Sequence, residues 1–199
     1  GTSGKLDPLL AAFRLPDIVY GLVAAGSFST VLVPALANLH ARGQTDRARA
    51  LLGAFAAVVV ALLAIVAVAA LALSDGFNAL LLAGLGDAAR SEARDLSRIL
   101  LASTSLLALS AIGASAAAAA DRFAATASNG VLYNLGTIAG ALVGGAAAGG
   151  FGAAIGTACG ALLVFVVSMR ALWTSPFRPT WPRSEEHTSE LQSRQYLVC

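Results

Sequence analysis

Arg14, Asp17 and Asn134 are the polar side chains of this sequence that fit worst beside hydrocarbon. Arg14 and Asp17 flank Pro16 at the entrance of an uncharged run of 22 residues, Ile18–Leu39. Asn134 lies between "VLY" and "LGT", well inside an uncharged stretch of 47 residues from Phe123 to Met169. A charge at mid-bilayer costs at least about 2.5–3.5 kcal/mol on insertion scales, so such a group faces a partner or a watery cavity. Two readings of the charged pair stay open. Arg14 can snorkel to the interface and pair with Asp17 three residues on, or both can border an aqueous path. Asn134 suits an interhelix hydrogen bond as well as it suits a cavity wall.

Two prolines bear on that choice. Pro16 and Pro34 each remove a backbone donor and disturb the helix around them. Carbonyls freed in this way are tolerated in a membrane only where protein or cavity water satisfies them. Gly21, Gly26, Ser27 and Ser29 lie between the prolines. The segment therefore reads as a kinked, hydratable helix, which is more than a lipid anchor needs.

Other chemistry is not indicated. His40 falls in a loop and His187 near the end of the chain, so no Ser/His/Asp grouping forms. There is no Gly-rich phosphate loop followed by Lys, and no span carries paired carboxylates. Cys159 and Cys199 offer neither a disulfide framework nor metal-ligand spacing. A net charge of +2 does not suggest a nucleic-acid partner. The expectation is a protein that is not an enzyme and needs no cofactor or metal.

The elements that hold these residues follow from composition. The chain is 57% hydrophobic and 12% charged, with a mean hydropathy of +0.76. Soluble domains carry about 25% charged residues, and a chain of this size in water would need a wet surface. Uncharged runs at Ala50–Leu73 and Ile99–Ala120 join those above. About 20 helical residues cross a hydrocarbon core, so the 47-residue stretch allows two crossings, with "AAAGGFGAA" (Ala146–Ala154) supplying the turn. The fold expected is all-α, a polytopic transmembrane bundle with five spans at about 9–39, 48–73, 96–120, 123–147 and 151–173.

Gly136, Gly140 and Gly144 share one helical face, as do Gly152, Gly156 and Gly160. Faces without side chains let backbones approach, which drives association where lipid offers no hydrophobic contrast. Ser103, Ser110 and Ser115 among their alanines suit the same contacts. Within the loop at 74–98, "ALLLAGL" followed by "DAARSEARDLSR" reads as a short amphipathic surface helix leading into the third span. Orientation is nearly undetermined: six Lys/Arg fall on one side (Arg42, Arg47, Arg49, Arg122, Arg170, Arg178) and five on the other (Lys5, Arg14, Arg90, Arg94, Arg98).

Beyond Trp181 the composition changes. "RSEEHTSELQSRQYLVC" (183–199) holds three of the four glutamates, and its first part resembles the in-frame translation of a sequencing adapter. Residues 183–199 are read as a non-native tail and residues 1–182 as part of a larger membrane protein.

The first segment carries a family resemblance. "DPLLAAFRLPDIVYGLVAAGSFSTVLVPALANLHARG" resembles the second helix of the lipid II flippase family (MurJ/MviN), whose members read approximately D-A-F-x-x-A-F-[RK]-[LI]-P-N, a short run, then G-[AS]-F-S-x-x-[FL]-[VI]-P. Asp7, Phe13, Arg14, Pro16, Gly26, Phe28, Ser29, Val33 and Pro34 match. "DRFAATASNGVLYNLGTIAGAL" is similar to a second family segment through Arg122, Phe123 and Asn134. The sequence departs from the pattern at Tyr20, Gly21 and Ala25, where the family carries two arginines and a glutamate, and at Ala127 and Val131, where it carries prolines.

The resemblance implies helices two to six of a roughly fourteen-helix, two-lobed flippase, within the N-terminal lobe. It implies transport of an undecaprenyl-linked peptidoglycan precursor across the bacterial inner membrane by alternating access, through a cationic cavity. It places the 40–49 loop in the cytoplasm and the 74–98 loop outside. The implied substrate-pathway residues are Asp7, Arg14 and Asn134, with Pro16 and Pro34 as kinks. The implied partners are the lipid-linked glycan, membrane lipid and the remaining C-terminal helices of the same protein. The alternatives are a transport-inactive structural or partner-recruiting relative, and an exporter of another lipid-linked polysaccharide.

Overall fold

A computed structural model describes residues 9–10, 12–14, 16–17, 28–72 and 86–178. Asp7, Tyr20, Gly21, Ala25 and the 183–199 tail lie outside the described residues, as does "ALLLAGL". The regular elements among the described residues are all α-helices: α1 Phe28–Ala41, α2 Thr45–Ala72, α3 Asp87–Ala119, α4 Phe123–Ala148 and α5 Gly150–Trp173. Residues 9–10, 12–14 and 16–17 are also helical. Stretches long and apolar enough to cross a membrane occur at Thr45–Val66, Asp87–Ala119 and Gly150–Trp173, and Thr30–Ala41 is a shorter apolar helix. The 26 residues of α4 include no charged side chain.

The charged stretch expected to form a separate surface helix belongs to α3. Asp87–Arg98 runs without a break into Ile99–Ala119, giving one helix of 33 residues. At 1.5 Å per residue this helix is about 50 Å long, well beyond a hydrocarbon core of roughly 30 Å. Its charged first turns therefore have room to stand in water while the uncharged remainder spans lipid. Asp87–Arg90 (3.5 Å) and Asp95–Arg98 (3.1 Å) are paired one turn apart along this extension, the spacing at which helical side chains meet.

Short turns fix the order of the helices. Gly43, at φ 71°, ends α1: its N–H donates to the His40 carbonyl (2.9 Å), and the Gln44 N–H donates to that of Leu39 (2.9 Å). These are the two bonds of the Schellman motif, which satisfy carbonyls left over at a helix end. The same pair of bonds closes α3, from Asp121 to Ala118 (3.1 Å) and from Arg122 to Ala117 (2.9 Å), with Asp121 at φ 58° in the left-handed position. Between α4 and α5 stands a single residue, Gly149, at φ 55°. The glycine-rich turn expected there is present, and it folds the two helices back into an antiparallel hairpin.

The two glycine faces meet inside that hairpin. A Cβ on Gly136 would lie 2.5 Å from the Gly160 Cα, one on Gly156 2.5 Å from the Gly140 Cα, and one on Gly144 2.6 Å from the Gly152 Cα. Steps of four along α4 are matched by steps of four back along α5. Thr137 and Thr157 lie beside this seam with their hydroxyl oxygens 3.1 Å apart. A third small residue extends the close packing to α3, where a Cβ on Gly113 would be 2.6 Å from the Ser168 carbonyl carbon.

The buried side chains form two clusters. One joins α1, α2, α3 and the end of α5 through Leu36, Leu52, Val59, Ile112, Leu172 and Phe177. The other joins Ala12 to Leu96, Leu100 and Ala154. Much of the remaining surface of α2, α4 and α5 is apolar and exposed, including Val58, Ile65, Leu135, Leu142, Leu163 and Val166. Such a surface is costly in water and is the expected exterior of a bundle whose solvent is lipid.

Candidate functional site: a cleft along the third helix

Between the two clusters lies a cleft of about 590 Å³ running along α3. The segment before α1 closes one side with Phe13, Pro16 and Asp17; α1 and α2 contribute Val33, Phe55 and Val59; α4 contributes Thr126, Asn129, Gly130 and Tyr133. Leu100, Thr104, Leu107, Ser110, Ala114 and Ser115 form the α3 wall. α4 leans on α5 through its glycine seam and so leaves room against α3.

Polar oxygen atoms recur among the apolar lining. The Thr104 hydroxyl donates to the Leu100 carbonyl (3.0 Å) and the Ser110 hydroxyl to that of Leu107 (2.7 Å). Thr126 donates across the cleft wall from α4 to the Ala114 carbonyl of α3 (3.4 Å). A hydroxyl has one proton to give, so these three oxygens retain acceptor lone pairs. Asn129 accepts a hydrogen bond from Ser168 (3.4 Å) through its carbonyl oxygen. Among the described residues that line the cleft, Asp17 is the one with a formal charge, and it is exposed.

The residues singled out by sequence divide between the cleft and its surroundings. Pro16 is buried and lines the cleft. Arg14 is exposed and stands outside the lining. Asn134 is exposed, and its amide donates to the Gly130 carbonyl one turn back (2.8 Å). Pro34 is inside α1 and exposed. Residues that sequence reasoning passed over are Thr104, Thr126, Asn129 and Tyr133. A signal existed for α4: Thr126, Asn129, Gly130 and Tyr133 follow the spacing of one helical stripe, and Asn134, at the edge of that stripe, is outside the lining. Among the described residues, no three His, Cys, Asp or Glu side chains gather as metal ligands.

The ends of the bundle differ in charge. At one end, Arg122 donates to the Thr174 carbonyl (2.9 Å) and hydroxyl (2.6 Å), and Arg49 to the Pro176 carbonyl (3.3 Å). The His40 and Phe177 rings meet edge to face, with centroids 5.4 Å apart. These contacts tie the α1–α2 turn, the α3–α4 turn and the end of α5 together. Arg42, Arg47, Arg49, Arg122, Arg170 and Arg178 belong to this end, against Asp46 and Asp121. The opposite end, where the α4–α5 turn meets the start of α3, balances Arg90, Arg94 and Arg98 with Asp87, Glu92 and Asp95.

An all-helical bundle with an apolar exterior, an internal cleft and charges at its ends defines a polytopic membrane protein. A family model described as lipid II flippase MurJ matches residues 1–194, and the chain belongs to that family, a family of membrane transporters. No curated protein and no solved structure matches the chain.

Proposed function

We propose that this chain supplies helices two to six of the N-terminal lobe of a flippase that carries lipid-linked peptidoglycan precursor across the bacterial inner membrane by alternating access. The observation that carries the reading is the match to the lipid II flippase family over residues 1–194. The cleft beside Pro16 and Asp17 supports it, since a proline and a carboxylate bordering a cavity are what a passage for a polar headgroup calls for. In this reading Arg14 attracts the pyrophosphate, Asp7 orients it or partners a basic residue, and Asn134 hydrogen-bonds the cargo. All five helices span the bilayer, and residues 183–199 take no part.

The arginine-rich end faces the cytoplasm. Lys and Arg retained on that side set orientation, and six arginines against two aspartates at one end outweigh the balanced charges at the other.

Depletion of the protein in its host tests the function. Lipid-linked precursor should accumulate on the cytoplasmic leaflet, and continued export at the normal rate would refute the lipid II assignment. One observation favours a related cargo as the second reading. Among the described residues, the cleft lining includes Asp17 and no cationic side chain, which suits a lipid-linked glycan whose passing group is less anionic than a pyrophosphate sugar.

A further inference from the structure

We infer that Ser97 is a positioning residue for the cleft: its hydroxyl gives the Ala12 carbonyl the hydrogen bond that Pro16 cannot give, and so seats the segment carrying Pro16 and Asp17 at the cleft wall. The contact stands on the packing alone, while its importance for passage rests on the transport reading above.

A carbonyl inside an α-helix is bonded by the N–H four residues on. For Ala12 that residue is Pro16, which has no N–H to give. Residues 12–14 and 16–17 are helical and Ala12 is fully buried, so a missing partner for its carbonyl would be costly. Within a membrane such a carbonyl has to be satisfied by protein or by cavity water. The Ser97 hydroxyl of α3 donates to it at 3.1 Å, from 85 positions further along the chain.

Ser97 uses its proton differently from three other hydroxyls of its helix. Ser103, Thr104 and Ser105 donate to the carbonyls of Ile99, Leu100 and Leu101, each one turn back in α3 (2.9, 3.0 and 2.9 Å). That local bond is open to any Ser or Thr in a helix. Ser97 bonds outward instead, at the place where the segment meets α3: Leu96 and Leu100 on either side of it pack with Ala12 and Ala154 in one buried cluster. Apolar packing brings the segment to α3, and the directional hydroxyl bond fixes which of its turns lies there. Asp17 stands about 7 Å beyond Ala12 along a helix axis and lines the cleft together with Leu100 and Thr104. A slip of the Ala12–Ser97 contact therefore moves Asp17 along that wall.

Amide hydrogen exchange tests the contact in the protein expressed from its intact gene and purified in detergent. Peptides covering residues 12–17 should exchange about tenfold faster in Ser97→Ala than in wild type. Ser97→Thr, which keeps the hydroxyl, should return them to the wild-type rate. Peptides from the α4–α5 hairpin are the control and should not change. Pro16→Ala completes the cycle, because alanine restores an N–H one turn after Ala12. In that background Ser97→Ala should have little further effect. An unchanged rate in Ser97→Ala, or the same acceleration with and without Pro16, overturns the inference.

Export of lipid-linked precursor, measured at equal membrane abundance, separates this inference from the transport reading. Where wild type exports, Ser97→Ala should export several-fold more slowly and Ser97→Thr at close to the wild-type rate. Full-rate export by Ser97→Ala would leave the contact merely structural and remove the positioning role. A wild type that exports no precursor while the exchange pattern holds would remove the transport reading and leave Ser97 as the residue that seats the segment.

Discussion

Gly140 and Gly156 face each other across the α4–α5 hairpin so closely that neither position has room for a methyl group. The seam is held by backbone-to-backbone packing, the contact that remains effective when the surrounding solvent is itself apolar. Removing that contact separates α4 from the helix that holds it away from α3, and the cleft loses its wall.

Gly140→Leu should therefore disrupt the hairpin. The expected outcome is loss of monodisperse protein or a fall of many degrees in melting temperature, measured by fluorescence-detected size exclusion after heating. Gly53→Ala in α2 is the matched control, because a Cβ there meets nothing within 4 Å. It should be neutral or stabilising by up to about 1 kcal/mol, since alanine is the better helix former.

The Thr137–Thr157 pair offers a covalent check on the same register. With hydroxyl oxygens 3.1 Å apart, Thr137→Cys with Thr157→Cys should form a disulfide under mild oxidation, because its Cβ atoms need to lie about 3.8 Å apart. The background should carry Cys159→Ser to remove the exposed neighbouring thiol. Protease cleavage at a site engineered beside Gly149 then reports whether the two helices stay joined.

Asp121 holds a left-handed backbone conformation, φ 58°, at the end of α3. Glycine takes this conformation without the steric cost borne by a side chain, which is of order 1 kcal/mol. Asp121→Gly should raise stability by up to about that amount. A fall in melting temperature would show that the carboxylate contributes more than the backbone strain costs.

Orientation is tested by labelling. Ala41→Cys and Ala88→Cys place exposed thiols at opposite ends of the bundle. In intact cells a membrane-impermeant maleimide should label Ala88→Cys and leave Ala41→Cys unlabelled until the cells are opened. The reverse pattern would invert the proposed topology.

Substrate-path roles are tested by complementation. Arg14→Ala and Asp7→Ala should each fail to rescue a conditional flippase mutant that the intact gene rescues, at equal membrane abundance. Asn134→Ala should be milder, because its amide is already bonded to the Gly130 carbonyl at 2.8 Å. Full rescue by the Arg14 and Asp7 variants would remove both residues from the pathway.

The helices were legible in the sequence because their signal is local. Long uncharged runs force backbone groups to pair within the segment, and that alone dictates helices in lipid. The glycine faces of α4 and α5 were equally legible, since a four-residue repeat fixes a face whatever its partner. The continuity of α3 was less so: a charged stretch beside an apolar one reads as two elements, and only the chain's path shows a single helix projecting beyond the hydrocarbon.

What the tertiary structure alone decided is which polar groups share a space. Sequence marks Asn134 as the awkward polar residue of α4, yet the stripe facing α3 includes Asn129, one helical turn and a little more away. Likewise six arginines spread over three separated segments become one end of the bundle only when the turns at Gly43 and Asp121 and the last turn of α5 come together. Hydrophobic pattern and residue spacing are properties of a single helix and survive in one dimension. The charge and hydrogen-bonding character of a cleft belong to the space between helices, and no one helix specifies them.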